Sequence, residues 1–175
     1  QLIAMHSTVG KPKTQILAQR LLDINPRLNI HIKQLYMDEV QTEILLDEAK
    51  YDYVIDAIDT ISPKIALLTG CLKRKIKVIS SMGAGGRIDP TRIAYADISE
   101  TYHCALAKAV RKRLKDAGIS KGIKVVFSSE QPDRNAIIRT DEERNKKSTV
   151  GTISYLPAIF GCYLAAYVIR KLSQK

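Results

Sequence analysis

The stretch Tyr53-Val54-Ile55-Asp56-Ala57-Ile58-Asp59-Thr60 decides the reading of this chain. Residues 53–57 form a short apolar run, the pattern of a parallel strand buried on both faces. Two carboxylates then close it, Asp56 at the end of the run and Asp59 in the turn beyond. Pro63 opens a helical pattern over residues 63–74, where proline is tolerated in a first turn. A second apolar run, residues 76–80, follows and ends in Gly83-Ala84-Gly85-Gly86. Upstream, residues 38–49 read as a helix and residues 28–35 alternate apolar with polar, as a strand does. Before them, Ile16, Leu17, Leu21 and Leu22 share one face of a helix over residues 13–23, which Asn25-Pro26 stops. Downstream, the spacing predicts a strand at 93–97, a basic helix at 102–117, a strand at 124–129 and a helix at 161–172. Residues 132–148 are polar and lack apolar periodicity, which predicts a flexible loop or crossover.

Helix and strand alternate from residue 13 to residue 80, which means a parallel sheet wrapped by helices. The expected class is therefore α/β: a Rossmann-like, doubly wound, mainly parallel sheet, in a single domain over residues 1–175. Such a fold opens with a strand and a glycine-rich turn. Neither precedes Lys13, so the first βαβ unit is expected to be lacking from this chain.

With 45% hydrophobic residues the chain can build a core, and its net charge of +10 suits a polyanionic partner. Cys71, Cys104 and Cys162 are widely spaced, with no CxxC and no zinc spacing. That count argues against a disulfide partner and predicts a reducing, cytoplasmic setting. No leader pattern is visible at the start, and the apolar stretch at 153–169 is interrupted by Ser154, Pro157 and Gly161, so no membrane span is expected.

Ligands of open α/β sheets bind at the carboxyl ends of strands, which singles out Asp56 and Asp59. Asp59 could meet magnesium or a nucleotide there; Asp59 or Thr60 would serve equally as a helix cap. In Thr8-Val9-Gly10-Lys11-Pro12-Lys13, two lysines flank a predicted helix amino terminus, where phosphate is favoured. Two solvated lysines are the commoner meaning of that pattern. Gly83-Ala84-Gly85-Gly86 permits close backbone approach to a ligand, or simply a flexible turn, and is not a phosphate-loop motif. Lys108, Arg111, Lys112 and Lys115 recur at helical spacing and predict one cationic face, with Ala105, Ala109 and Leu114 supplying much of the buried side. Such a face suits sequence-independent phosphate contacts, or plain solvation. Cys71 and Cys162 read as core. His103 precedes Cys104 and could lower its pKa, although neighbours on a helix diverge.

Taken in order, these motifs resemble the ThiF/MoeB/HesA-like adenylating enzymes of the ubiquitin-activating superfamily. The resemblance rests on Asp56-Ala57-Ile58-Asp59, Pro63-Lys64, and the run from Gly83 to Thr91. Val9 to Lys13 and Asp23 to Pro26 support it. Leu106-Ala107-Lys108, Arg111 to Lys115 and Val126 to Glu130 are similar to the branch that dehydrates threonylcarbamoyladenosine in tRNA. The resemblance covers roughly the first 130 residues well, and as a series of ordered motifs it is specific.

The resemblance implies a homodimer that uses ATP and Mg2+. It implies that Lys13 contacts the ATP phosphates, that Asp59 is the acidic residue for magnesium-ATP and adenylation, and that Lys64 lies near the nucleotide. Gln1 matches a glutamine that meets the nucleotide; its arginine neighbour and the ribose-binding aspartate would lie upstream. The implied activity is adenylation of the side-chain carboxylate of threonylcarbamoyladenosine in tRNA, followed by ring closure with loss of water. Two rivals share the pattern. One is an enzyme that activates a small sulfur-carrier protein; the other is a non-catalytic module that retains the fold. A dinucleotide-dependent oxidoreductase lacks its fingerprint here.

Overall fold

The computed structural model describes residues 3–139 and 148–174. The chain packs as two compact units, Gln1–Tyr36 and Met37–Lys175.

The first unit is built around helix α1 (Lys13–Ile24), preceded by a 3-10 turn at His6–Thr8. The Thr8 hydroxyl fixes that turn, donating to Ile3 O at 2.7 Å and accepting from Met5 N at 2.8 Å. Gly10 has φ of 81°, a conformation that glycine adopts without a Cβ penalty. Pro12 caps α1 and its carbonyl accepts from Gln15 and Ile16 N. At the other end Asn25 N–H donates to Leu21 O, and the Asn25 side chain accepts from Arg27 N. The predicted apolar face is only partly used: Ala18 is buried, Ile16 and Leu21 are half-buried, and Leu17 and Leu22 are exposed. Residues 28–35 form no strand, contrary to the alternation in their sequence. Alternation supplies two faces; a strand also needs a neighbour to satisfy its N–H and C=O groups. No described strand pairs with this segment.

The second unit is a three-layer sandwich. Its four-stranded sheet comprises β1 (Val54–Asp56), β2 (Val78–Ser81), β3 (Ile93–Asp97) and β4 (Lys124–Ser128), in the order β1-β2-β4-β3. β1, β2 and β4 run parallel and β3 is antiparallel, so the sheet is mainly parallel as expected. The helices are α2 (Glu39–Glu48), α3 (Ile61–Lys73), α4 (Ala105–Asp116) and α5 (Tyr155–Ser173). Alternation along the strands sorts the layers. Val78, Val125 and Phe127 face Leu68 and Cys71 of α3 and Ala107, Val110 and Leu114 of α4. Ile79 and Val126 face Leu156, Phe160, Leu164 and Val168 of α5. α2 packs on α3, and Arg74 ties the two by bonding Glu43 and Asp47, each at 2.7 Å.

Three expectations are corrected here. Ile55 was expected to be buried and is 46% exposed, because α5 covers β2 and β4 and leaves that side of the edge strand β1 open. α5 begins at Tyr155, a turn and a half before the sequence pattern suggested, because Pro157 falls in its first turn, where it is tolerated. Residues 132–148, expected to be a loop, carry a 3-10 turn at Arg134–Ala136 and strand β5 (Ile137–Arg139), which pairs with β6 (Ser148–Val150). Residues 140–147 lie outside the described residues.

Candidate functional site

The parallel register brings Asp56 opposite Ser80 at the carboxyl ends of β1 and β2. Lys64, on the second turn of α3, reaches the same point. Its Nζ donates to Asp56 Oδ2 at 2.5 Å, to Ser80 Oγ at 3.0 Å and to Ser81 O at 3.0 Å. All three ammonium protons are thereby used. The Ser80 hydroxyl donates to Asp56 Oδ2 at 2.5 Å, and Asp56 Oδ1 accepts from Ile58 N at 2.9 Å. Asp56, Lys64 and Ser80 are each 0% exposed. Burial pushes the Lys64 ammonium below the usual lysine range, opposed by the charges of Asp56 and then Asp59. A buried ion pair is tolerable when the remaining polar positions are satisfied, as here.

This network shapes the turn that carries Asp59. Asp56 holds Ile58 N, and Thr60 caps α3 just beyond. Asp59 is exposed on that turn, and its Oδ1 accepts from the Thr60 hydroxyl at 3.2 Å. Its chemistry fits magnesium bound to phosphates, since Mg2+ characteristically uses one or two carboxylates and takes the rest of its shell from substrate and water. Among the described residues no three-ligand protein metal cluster exists. Lys64, expected near the nucleotide, lies buried on α3 with Asp56 as its ion-pair partner and within reach of the charge of Asp59.

The glycine-rich segment is neither a loose turn nor an open cradle. Arg87, 4% exposed, donates to Gly83 O at 2.8 Å, Gly85 O at 3.1 Å, Glu130 O at 3.1 Å and His103 O at 2.5 Å. The Glu130 carboxylate accepts from Ile88 N at 3.1 Å and Asp89 N at 2.9 Å. Gly86 has φ of 70°, and its N–H donates to Gly151 O at 2.8 Å. A Cβ on Gly85 would fall 2.8 Å from Val150 Cγ1. These glycines thus let protein pack on protein. Sequence reasoning missed Arg87 and Glu130 as the clamps; a lone arginine after glycines carries no signal of its partners.

On α4, Lys108, Lys112 and Lys115 are exposed, whereas Arg111 is not part of that face. Its Nη1 donates to Thr101 O at 2.8 Å and to the Thr101 hydroxyl. That corrects the four-residue stripe to three lysines. The cause is the turn at Ile98–Glu100, whose following carbonyls need a donor. The buried side of α4 is Ala107, Val110 and Leu114; Ala105 is exposed. Cys104 caps α4, its Sγ accepting from Ala107 N at 3.4 Å, while His103 Nδ1 bonds Ser129 O at 3.0 Å. Cys104 and Cys71 are buried; Cys162, expected in the core, is exposed.

In the first unit, Lys13 is exposed at the first position of α1. Gln15 and Ile16 N–H go to Pro12 O, leaving Lys13 and Thr14 N–H without intrahelical acceptors. Gln1 lies outside the described residues.

Comparison with known proteins adds to this geometry. The ThiF family matches over residues 1–175. The tRNA threonylcarbamoyladenosine dehydratase of Bacillus subtilis (strain 168) is 40% identical over 179 residues, covering 98% of this chain and 70% of that protein. The protein of the same description from Haemophilus influenzae is 36% identical, covering 100% and 70% respectively. The crystal structure of E. coli tRNA N6-threonylcarbamoyladenosine dehydratase in complex with ATP superposes with a TM-score of 0.87 at 30% identity, over 99% of this chain and 69% of that one.

Proposed function

The chain belongs to the ThiF family, and from that premise we propose that it adenylates a carboxylate with ATP, cyclising N6-threonylcarbamoyladenosine in tRNA by dehydration. The likeness to the ATP-bound E. coli dehydratase carries this reading. The exposed carboxylate of Asp59, standing at the carboxyl end of β1, supports it.

In this proposal Asp59 holds magnesium-ATP, and Lys13 meets the phosphates with its ammonium and the first-turn amides of α1. Gln1 contacts the nucleotide. Lys64 acts from beneath, holding Asp56 so that the turn to Asp59 keeps its shape. ATP would supply the adenylyl group that turns a poor electrophile, a carboxylate, into a reactive acyl–phosphate mixed anhydride; Mg2+ would offset phosphate charge. The threonyl carboxylate attacks the α-phosphate and pyrophosphate departs. The carbamoyl group of the same nucleoside then closes on the activated carbonyl and AMP leaves. The nucleophile sits in the substrate, so no cysteine is needed, in keeping with the burial of Cys71 and Cys104.

The same proposal assigns tRNA to the net charge of +10 and to Lys108, Lys112 and Lys115. It also assigns a cytoplasmic homodimer. The outer face of α5 supports the dimer: Gly161, Cys162, Ala165, Ala166 and Ile169 are exposed there. No helix among the described residues is long and apolar enough to cross a membrane.

Incubation with ATP, Mg2+ and tRNA bearing threonylcarbamoyladenosine tests the reaction. Mass spectrometry of the nucleosides should show ATP-dependent loss of one water. An unchanged nucleoside with an ATP-binding protein would transfer the assignment to activation of a sulfur-carrier or sulfur-acceptor protein.

A further inference from the structure

A groove lies at the edge of the sheet opposite Asp59. It encloses about 220 Å³ and is lined by Tyr95 of β3, Lys124 of β4, and Tyr167, Arg170, Lys171 and Gln174 at the end of α5. Lys124 is the first residue of β4 and Ser128 the last. Four strand steps of about 3.3 Å separate the two edges by roughly 13 Å. The groove therefore lies at the opposite edge of the sheet from the carboxyl ends of β1 and β2.

Its chemistry is an aromatic floor with a cationic rim. The Tyr95 and Tyr167 rings lie 5.3 Å apart, with Tyr163 also 5.3 Å from Tyr95 and Tyr53 6.4 Å from Tyr167. The Tyr95 hydroxyl donates to Tyr163 O at 2.7 Å, which fixes the ring while leaving the residue 37% exposed. A ring held in place pays little entropy when it stacks on a ligand. Lys171 Nζ stands 5.9 Å from the Tyr167 ring centre. Among the described residues, no carboxylate pairs with Lys124, Arg170 or Lys171 within 4.0 Å. Asp97 faces Lys124 across the β3–β4 ladder, but its oxygens already accept from Ser99 N, Ser99 Oγ and Gly122 N. The volume is below the range of about 300–1,000 Å³ typical for whole drug-sized ligands, so it suits one base and its phosphate.

We propose that this groove is a second RNA contact, stacking one unpaired base of the tRNA on Tyr95 and Tyr167 and holding its phosphate with Lys124, Arg170 and Lys171. Aromatic platforms interleaved with cations bind single-stranded nucleotides without demanding a sequence. The inference rests on the reading of tRNA as substrate. Held at both edges of the sheet, the RNA is oriented by the groove, and the reacting nucleoside is presented at Asp59.

The test pairs tRNA binding, followed by fluorescence anisotropy across a salt series, with ATP-dependent dehydration. Variants R170E/K171E and R170Q/K171Q change exposed side chains at a helix end, where cations suit the helix dipole, so both should melt somewhat below the parent and stay folded at the assay temperature. R170E/K171E should weaken tRNA binding at least tenfold and flatten its salt dependence; R170Q/K171Q should fall between. The KM for ATP should not move. Ultraviolet cross-linking of tRNA should label peptides containing Tyr95 or Tyr167. Unchanged tRNA affinity in R170E/K171E, with a parent protein that dehydrates tRNA, overturns the groove alone. A parent protein that binds tRNA through these residues yet never dehydrates it overturns the activity and supports the groove. Free AMP displacing the cross-link while tRNA affinity stays unaffected would mark a mononucleotide site and overturn the RNA contact.

Discussion

Lys64 and Lys108 are the same residue type in the same unit, each on a helix packed against the same face of one sheet, and they do opposite things. Lys64 points inward, is 0% exposed, and spends its three protons on Asp56, Ser80 and Ser81. Lys108 points outward with Lys112 and Lys115, in water. A buried charge is costly unless paired, so once folded it is locked to its partners and can only position. A solvated charge contributes little to stability and stays available to an external anion. Charge that shapes a site and charge that recruits a ligand are thus separated by burial.

The largest expected effect breaks the inner network. Lys64→Met leaves Asp56 buried without its partner and should cost about 3–5 kcal/mol in urea unfolding. Replacing both, Asp56→Leu with Lys64→Met, should recover much of that. If the double variant is as unstable as the single, the pair is not what holds this edge.

Asp59→Asn, next in size, should lower ATP-dependent turnover by about a hundredfold or more while the urea midpoint stays at the parent value, as expected when one preorganised electrostatic contact is lost. Near-normal turnover would remove Asp59 from the reaction.

The outer lysines should behave in the reverse manner. Lys108→Ala and Lys112→Ala should each change stability by less than about 0.5 kcal/mol. Each should reduce the salt slope of tRNA binding by about 1. An unchanged slope would leave that face merely solvated.

The last effect appears only at alkaline pH and concerns Cys71, whose thiol burial pushes up to about 11. The folded protein keeps that proton where the unfolded chain, with a thiol near 9.0, has lost it. Stability should therefore fall as pH rises from about 9 toward 11. Alkylation at pH 9 should label Cys162 quickly and Cys71 only after denaturation; rapid native labelling of Cys71 would contradict its burial.

Strand β3 was legible to the residue, at 93–97, as a short run of mostly apolar residues following Pro90. Asp56 and Asp59 were legible as a strand end and a turn, since an apolar run that halts at a carboxylate locates the sheet edge. Residues 28–35 misled, for a strand is a relation between two segments and only one of them was being read. Arg111 misled for a similar reason: helical spacing put it with three lysines, and carbonyls ten or more residues earlier claimed it.

The sequence by itself determined the α/β class, the order of the four sheet strands and the helices around them, the family, and Asp59 and Lys13 as candidates. Each is encoded locally, in periodicity, a turn residue or an ordered motif. Only the tertiary structure decided that Lys64 faces Asp56, that Arg87 and Glu130 clamp the glycines, and that four tyrosines gather beside Lys124, Arg170 and Lys171. Those facts depend on strand register and on which helix covers which face, and residues distant in sequence meet only when the sheet is assembled.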